Sequence, residues 1–129
     1  MINDPRTAYL NTHATTSVQG ASPHKLITLL FAACQENLAV AKGGIERGDV
    51  RGKAVAIKKA LDIIVKLQAI LDFERGGPIA ISLDDLYSKC TRQLSLANAL
   101  NDLEALEDVS MAVHEIKAAW VQIGNVKDG

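Results

Sequence analysis

The chain has 129 residues, which fits one domain of ordinary size that buries a core without disulfide or metal staples. Lysine and arginine total 14, aspartate and glutamate 15, so the formal net charge is −1. That balance argues against a protein that coats nucleic acid, which needs a clustered positive excess. Hydrophobic residues make up 48% and charged residues 22%, which excludes an intrinsically disordered chain.

Cysteine content and hydropathy indicate the compartment. Cys34 and Cys90 are too few for a disulfide framework and fall inside helical patterns, so we expect small reduced core residues in a cytosolic protein. No apolar export signal follows the N-terminus. The most apolar stretch, residues 26–34, is far shorter than the roughly 20 residues that cross a bilayer. We therefore expect a cytoplasmic protein that does not insert into membranes.

The N-terminal part of the chain predicts a short helix and a loose lead-in. Asp4 and Pro5 can begin a helix, with Asp as the N-cap and Pro at the first helical position. Residues 12–20 are polar and β-branched and end in glycine, so they do not look like core. We treat residues 1–20 as a separate N-terminal segment attached to the rest.

The remainder of the chain predicts four long helices, each with a start or stop signal. Ser22 and Pro23 form the first start, Gly48 a stop, and Asp49 and Asp102 two further N-caps. Gly76-Gly77-Pro78 is the strongest break. The predicted helices are 23–47, 50–73, 79–100 (with a possible start at Pro78 or Ser82) and 103–123. Their short connections favour antiparallel neighbours, so we predict one all-α domain over 1–129, an up-and-down four-helix bundle.

The apolar faces of these helices differ in width. The last two helices each carry one stripe at three- and four-residue spacing, as a docked helix does. Apolar positions of helix 50–73 instead cover roughly 220° of the helical wheel, and those of helix 23–47 cover more. The excess is either covered by the N-terminal segment or forms an exposed groove for a partner's helices. Both remain possible if the cover can be displaced.

Catalytic and metal-binding patterns are missing from the sequence. His13, His24 and His114 are far apart, and the two cysteines form no metal-binding pair, so we predict no enzyme activity, no metal and no cofactor. One weak match remains, because the segment from His114 to Ala118 is similar to the His-x-x-Lys-Gly pattern of histidine-phosphotransfer bundles. Glycine is replaced by alanine there, and Glu115 would repel a phosphate. This phosphotransfer domain is the alternative function.

Taken in order, the motifs resemble the flagellin export chaperones of the FliS type from about Tyr9 to Trp120. The segment with the most specific spacing is Glu74-x-Gly76-Gly77-x-Ile79-Ala80-x-x-Leu83-x-x-Leu86-Tyr87. The other matching pieces are Ala8-Tyr9, Ala21-Ser22-Pro23, Lys25-Leu26-Ile27, Leu29-Leu30-Phe31, Ile45, Gly48-Asp49, Lys59-Ala60, Ile63-Ile64, Leu67, Leu71-Asp72, Leu94, Ala97-Asn98 and Ala119-Trp120.

The resemblance implies a bacterial cytoplasmic chaperone without ATP use. Such proteins bind the disordered C-terminal region of flagellin, block premature filament assembly and deliver flagellin to the type III export gate. The resemblance also implies that residues 1–20, including Tyr9, cover a groove in the free form and move when the client binds. Tyr9 is then a possible contact for the export gate.

The wide faces and the glycine-rich break supply the expected client contacts. These are Leu30, Ile57, Leu61, Ile64, Leu71, Ile79, Leu83 and Leu86, several of which could equally be ordinary core residues. A third hypothesis is that the protein is a plain helical adaptor within some other complex. Its apolar face would then be buried in a dimer. The sequence leaves open whether the free protein is a monomer or a homodimer.

Overall fold

The computed structural model describes residues 22–128, with side chains described for residues 22–122. It contains helices α1 (Pro23–Arg47), α2 (Val50–Ala69), α3 (Phe73–Leu100) and α4 (Leu103–Asp128). The helices pack in the cyclic order α1, α2, α3, α4, with α4 closing the ring on α1. The prediction of an all-α four-helix bundle is confirmed. The predicted N-terminal helix and cover, with Tyr9, lie outside the described residues.

Three of the predicted N-caps form hydrogen bonds that begin their helices. The Ser22 hydroxyl accepts from the Lys25 amide at 3.2 Å, and Asp49 Oδ1 accepts from the Gly52 amide at 2.9 Å. Asp102 Oδ1 likewise accepts from the backbone amide three residues later at 3.0 Å. Each bond satisfies a first-turn amide that has no partner inside its helix. Local sequence chemistry therefore positions the start of α1, α2 and α4.

The connection between α2 and α3 differs from the expected one. The second helix ends at Ala69, not at 73, and the third begins at Phe73, not at 79. Asp72 Oδ1 accepts from the amides of Glu74 and Arg75 at 3.1 and 3.0 Å, so a helical turn starts before the glycines. Gly77, at φ 51° and ψ −127°, then bends α3, in a conformation that side-chain-bearing residues rarely adopt. The Gly-Gly-Pro sequence is a kink within α3, whereas we expected a loop before it.

The core runs along the bundle axis and takes one stripe from each helix. Its buried residues include Phe31, Cys34, Leu38, Ile57, Ile64, Leu67, Tyr87, Cys90, Leu94, Leu106, Val109 and Val113. Helices α1 and α2 come close together at Gly44, where an added Cβ would lie 2.9 Å from the Lys53 backbone nitrogen. Glycine at that position therefore sets the separation of the two helices.

The two cysteines are free and buried in this core. Burial raises the pKa of the Cys34 thiol from 9.0 to about 12, with a further contribution from nearby Cys90. Burial also raises the pKa of Cys90, although Lys89 acts in the opposite direction. Both side chains are neutral thiols at physiological pH, so they pack as small apolar groups and are poor nucleophiles.

Candidate functional site

The structure divides the eight expected client contacts by accessibility. Ile57 and Ile64 are 1% and 0% exposed, so they belong to the core of the free protein. Four others are half-buried and pack against that core: Leu30, Leu61, Leu71 and Leu83. The remaining two are Leu86, which is half-buried, and Ile79, which is 72% exposed. A wide apolar arc therefore contains both core and surface positions.

The end of the bundle that holds the α2–α3 connection carries a group of exposed apolar side chains. We call this the kink end, and we define the kink patch as Ile70, Phe73, Ile79 and Ile81, which are 52%, 50%, 72% and 56% exposed. The half-buried Leu71 and Leu83 belong to the same stretch of chain. Single exposed apolar residues are common on protein surfaces, but four in one short segment make this end the candidate binding surface.

Three members of the kink patch were missing from the expected contacts. Ile70 belongs to the apolar arc of the expected helix 50–73, so that pattern did not place it at the surface, whereas Phe73 falls among the charged positions on the opposite side of the wheel. Ile81 lies next to the core residue Ala80, whose burial turns its neighbour outward. The available signal was the apolar sequence on both sides of Gly76-Gly77-Pro78.

Side-chain hydrogen bonds fix α3 just beyond the kink. Gln68 Nε2, near the end of α2, donates to Asp84 Oδ1 at 2.8 Å and to Ser88 Oγ at 3.0 Å. These bonds attach α3 to α2 from Asp84 onward. The segment between Ala69 and Asp84 therefore lies between two positions that these hydrogen bonds hold together.

His24 and Trp120 hold α1 and α4 together at the same end of the bundle. Their rings stack with centroids 4.6 Å apart and an interplanar angle of 9°. Trp120 Nε1 donates to the His24 carbonyl at 3.1 Å, and His24 Nε2 lies 2.6 Å from the Trp120 carbonyl oxygen. Because a carbonyl only accepts, the His24 bond requires a proton on Nε2. This reciprocal pair, here called the His24–Trp120 clamp, closes the ring of helices beside the kink patch.

A shallow groove of about 310 Å³ runs between α3 and α4. It is lined by the expected contact Leu86 together with Lys89, Cys90, Gln93, Asp108, Val109, Met111, Ala112 and Glu115. Gln93 Nε2 donates to Asp108 Oδ2 at 3.1 Å across it. The groove places Leu86 between charged rims, where an amphipathic segment could pack.

The geometry around His114 does not assemble a phosphotransfer site. His114 and Glu115 are exposed on α4. Lys117, which would have to balance a phosphate, instead donates from Nζ to Gln35 Oε1 on α1 at 3.1 Å. Within the part of the chain that the structure describes, no group of three or more His, Cys, Asp or Glu could hold a metal ion. None of the described helices has both the length and the hydropathy of a membrane span.

Comparison with known proteins assigns the chain to a family. The family model described as "Flagellar protein FliS" matches residues 5–127. The chain belongs to this family. It is 40% identical over 116 residues to "Flagellar secretion chaperone FliS" of Vibrio cholerae, covering 90% of this chain and 85% of that protein. The protein of the same name in Salmonella typhimurium is 42% identical over 117 residues, covering 90% and 87%.

A third FliS relative carries a closely similar name. "Flagellar secretion chaperone FliSB" of Pseudomonas aeruginosa is 40% identical over 112 residues, covering 87% of this chain and 89% of that protein. These are the names of chaperones, and the FliS family is not a family of enzymes. Membership of this family therefore argues against the phosphotransfer alternative.

Proposed function

We propose that the protein is a cytoplasmic secretion chaperone that binds the C-terminal region of flagellin. By holding this region it prevents premature polymerisation, and it delivers flagellin to the flagellar type III export apparatus. The observation that carries the proposal is the kink patch of a FliS-family bundle, an exposed apolar surface beside half-buried grooves. A secretion chaperone of this kind needs neither a catalytic group nor a cofactor.

The energetics of a disordered client explain why such a surface is needed. A client that folds on binding loses conformational entropy, and the buried apolar area has to offset that loss. Ile79 and its neighbours in the kink patch supply area that is already open to solvent. Burying this area predicts a negative heat-capacity change on association.

The expected contacts fall into two layers under this proposal. The surface layer meets the client directly and consists of Leu30, Leu61, Leu71, Ile79, Leu83 and Leu86. Ile57 and Ile64 form the layer beneath it and support the surface layer, since both are core residues in the free protein. Residues 1–20, with Tyr9, remain our proposal for a displaceable cover and for the contact with the export gate.

Calorimetric titration at several temperatures tests the proposal. The purified protein is titrated with the C-terminal segment of the flagellin of the same bacterium. We expect saturable one-to-one binding with a negative heat-capacity change. Failure of the wild-type protein to bind at tens of micromolar client would contradict the function itself.

A pair of matched substitutions then tests the site. Ile79→Glu places a charge in the kink patch, whereas Leu100→Glu places one at the opposite end, on a side chain that is 68% exposed. Both positions are at the surface, so both variants should fold. We expect affinity to fall about tenfold or more for Ile79→Glu, which is the size of effect typical of an important apolar contact, and to stay near wild type for Leu100→Glu. Equal affinities for the two variants would mean that the client does not bind at the kink end.

A further inference from the structure

Charge is unevenly distributed around the bundle. Helix α2 carries five cationic side chains (Arg51, Lys53, Lys58, Lys59 and Lys66) and a single carboxylate, Asp62. Up to Gln122, helix α4 carries four carboxylates (Glu104, Glu107, Asp108 and Glu115) and one cation, Lys117. The two helices are diagonal in the ring, since each packs mainly against α1 and α3. The bundle therefore has a basic side and an acidic side, although its net charge is only −1.

The outward surface of α2 combines these cations with exposed valines. Val55 and Val65 are 49% and 55% exposed. We define the basic face as Arg51, Val55, Lys58, Lys59, Val65 and Lys66, all exposed except the half-buried Lys66. At 100° per residue they fall within one arc of about 120° on the side of α2 away from the core. Packing against the core therefore does not explain why these positions are basic or apolar.

The one carboxylate on α2 leaves most of the positive charge uncompensated. Asp62 Oδ2 lies 3.3 Å from Lys58 Nζ in an i,i+4 pair whose side chains are 57% and 76% exposed. Among the described residues, no salt bridge joins Arg51, Lys59 or Lys66 to a carboxylate. These three cations therefore lie on the same face as Val55 and Val65 and have no acidic partner in the described part of the chain.

We propose that the basic face binds an acidic amphipathic segment of the client, with Asp or Glu side chains beside small apolar anchors. This inference rests on the proposed function and specifies the chemistry of what is bound. Charge complementarity selects acidic residues in the partner, and Val55 and Val65 select apolar anchors between them. The 20 residues of α2 span about 30 Å, so a client helix of five or six turns can lie along it.

The position of the basic face supports a protein segment as the occupant. Helix α2 ends at Ala69 and the kink patch begins at Ile70, so a client anchored at the kink patch can continue directly onto α2. An anionic membrane surface would favour aromatic or leucine anchors on the same face, and the basic face has none. The acidic α4, on the far side, repels the same client segment and so fixes the direction in which it wraps.

The contribution of the basic face is mainly to specificity and association rate. Pairs between exposed charges add little affinity each and weaken as salt rises, whereas attraction between oppositely charged surfaces accelerates encounter. The kink patch supplies the apolar anchoring, and the basic face selects which client segment lies beside it.

Salt-dependent binding of charge-reversal variants tests this inference. Wild type and Lys58→Glu/Lys59→Glu are titrated with the flagellin C-terminal segment at about 50 mM and about 300 mM NaCl. We expect the variant to bind about tenfold more weakly at the lower salt and to lose most of the salt dependence. The matched control is Arg47→Glu/Arg92→Glu, which changes net charge equally at two exposed positions, one on α1 and one on α3, outside the kink patch and the groove around Leu86. It should retain near wild-type affinity.

The outcomes separate the inference from the proposed function. If wild type does not bind the segment, the function fails and the inference fails with it. If wild type binds but the α2 variant shows the same affinity and salt dependence, or the control variant loses as much affinity, only the inference is overturned. Loss of binding to phosphatidylglycerol vesicles by the α2 variant, with flagellin affinity unchanged, would also overturn it in favour of a lipid surface. A flagellin segment with Asn and Gln in place of Asp and Glu should bind wild type as weakly as the α2 variant binds the native segment.

Discussion

The two ends of the bundle are built differently. At the turn end, Gly48-Asp49 and Asn101-Asp102 make two-residue connections, and the buried Lys53 joins α2 to α3. Its Nζ donates to the Asn98 carbonyl at 2.8 Å and to Asn101 Oδ1 at 2.7 Å. At the kink end the link between α2 and α3 is longer, α3 bends at Gly77, and apolar side chains face solvent.

This difference assigns separate tasks to the two ends. A buried ammonium group that satisfies a terminal carbonyl of α3 makes the turn end costly to open, because both groups would lose their partners. The kink end relies on half-buried apolar contacts, the Gln68 hydrogen bonds and the His24–Trp120 clamp. The turn end therefore fixes helix register, while the kink end leaves apolar surface available.

Removing the Lys53 charge should have the largest effect on stability. Lys53→Met keeps the apolar stem but removes both hydrogen bonds from a residue that is 5% exposed. We expect the free energy of unfolding to fall by about 2 kcal/mol, the scale of lost hydrogen bonds to a charged group. Urea denaturation followed by circular dichroism measures this loss. Lys59→Met, on the exposed outer side of α2, is the control and should stay within about 0.5 kcal/mol of wild type. Equal free energies of unfolding for the Lys53 and Lys59 variants would show that the Lys53 hydrogen bonds do not stabilise the turn end.

Substitution of Gly77 tests the kink directly. Gly77→Ala forces a side-chain-bearing residue into φ 51° and ψ −127°, so we expect a loss of about 1–2 kcal/mol. Gly43→Ala is the matched control, because that glycine is within α1 and an added Cβ would meet only the flexible Arg47 side chain. The control should be neutral or stabilising by up to about 1 kcal/mol. A Gly77 variant as stable as the Gly43 variant would show that the kink is not maintained.

Shortening Trp120 tests the clamp at the kink end. Trp120→Phe retains an aromatic ring beside His24 but removes the Nε1 hydrogen bond to the His24 carbonyl. We expect a loss of about 1 kcal/mol. Hydrogen exchange should accelerate in the first turns of α1 and not around Lys53. Acceleration at both ends alike would mean that the clamp stabilises the bundle globally.

Alkaline pH should weaken the middle of the bundle, where both ends share one core. Burial raises the pKa of Cys34 from 9.0 to about 12, and burial, with contributions from Cys90 and Cys34, raises that of Tyr87 from 10.0 to about 12. The folded state then holds protons that the unfolded state has released, so stability decreases with rising pH. We expect no change from these groups at neutral pH and a loss beginning near pH 9 and continuing to about pH 12. Cys34→Ala should reduce the slope measured by denaturation at several pH values, and an unchanged slope would contradict this assignment.

Local sequence chemistry was sufficient for much of the fold but not for the kink. Ser22, Asp49 and Asp102 act as the N-caps they were expected to be, because a cap depends on a few neighbouring residues. Ile70 and Leu71 continued the apolar period of α2, so periodicity alone extended that helix too far. The Asp72 cap is equally local but was not expected, and the bend at Gly77 depends on where α3 must pack against α2.

The candidate surface was only partly accessible to sequence reasoning. Ile57, Ile64 and Ile79 were all expected contacts, yet the first two are core residues and the third is 72% exposed. A helical wheel gives the width of an apolar arc, but it does not show which neighbour covers each part. That depends on the positions of the adjacent helices.

The sequence by itself determined the family, the all-α class, the number of long helices and the caps that begin three of them. These properties follow from local hydrogen bonding, apolar periodicity and the order of motifs along the chain. Only the tertiary structure decided which apolar residues remain exposed, that the glycines bend α3, and that a basic α2 is opposite an acidic α4. Those properties depend on which helices become neighbours, and packing of the whole core sets that arrangement.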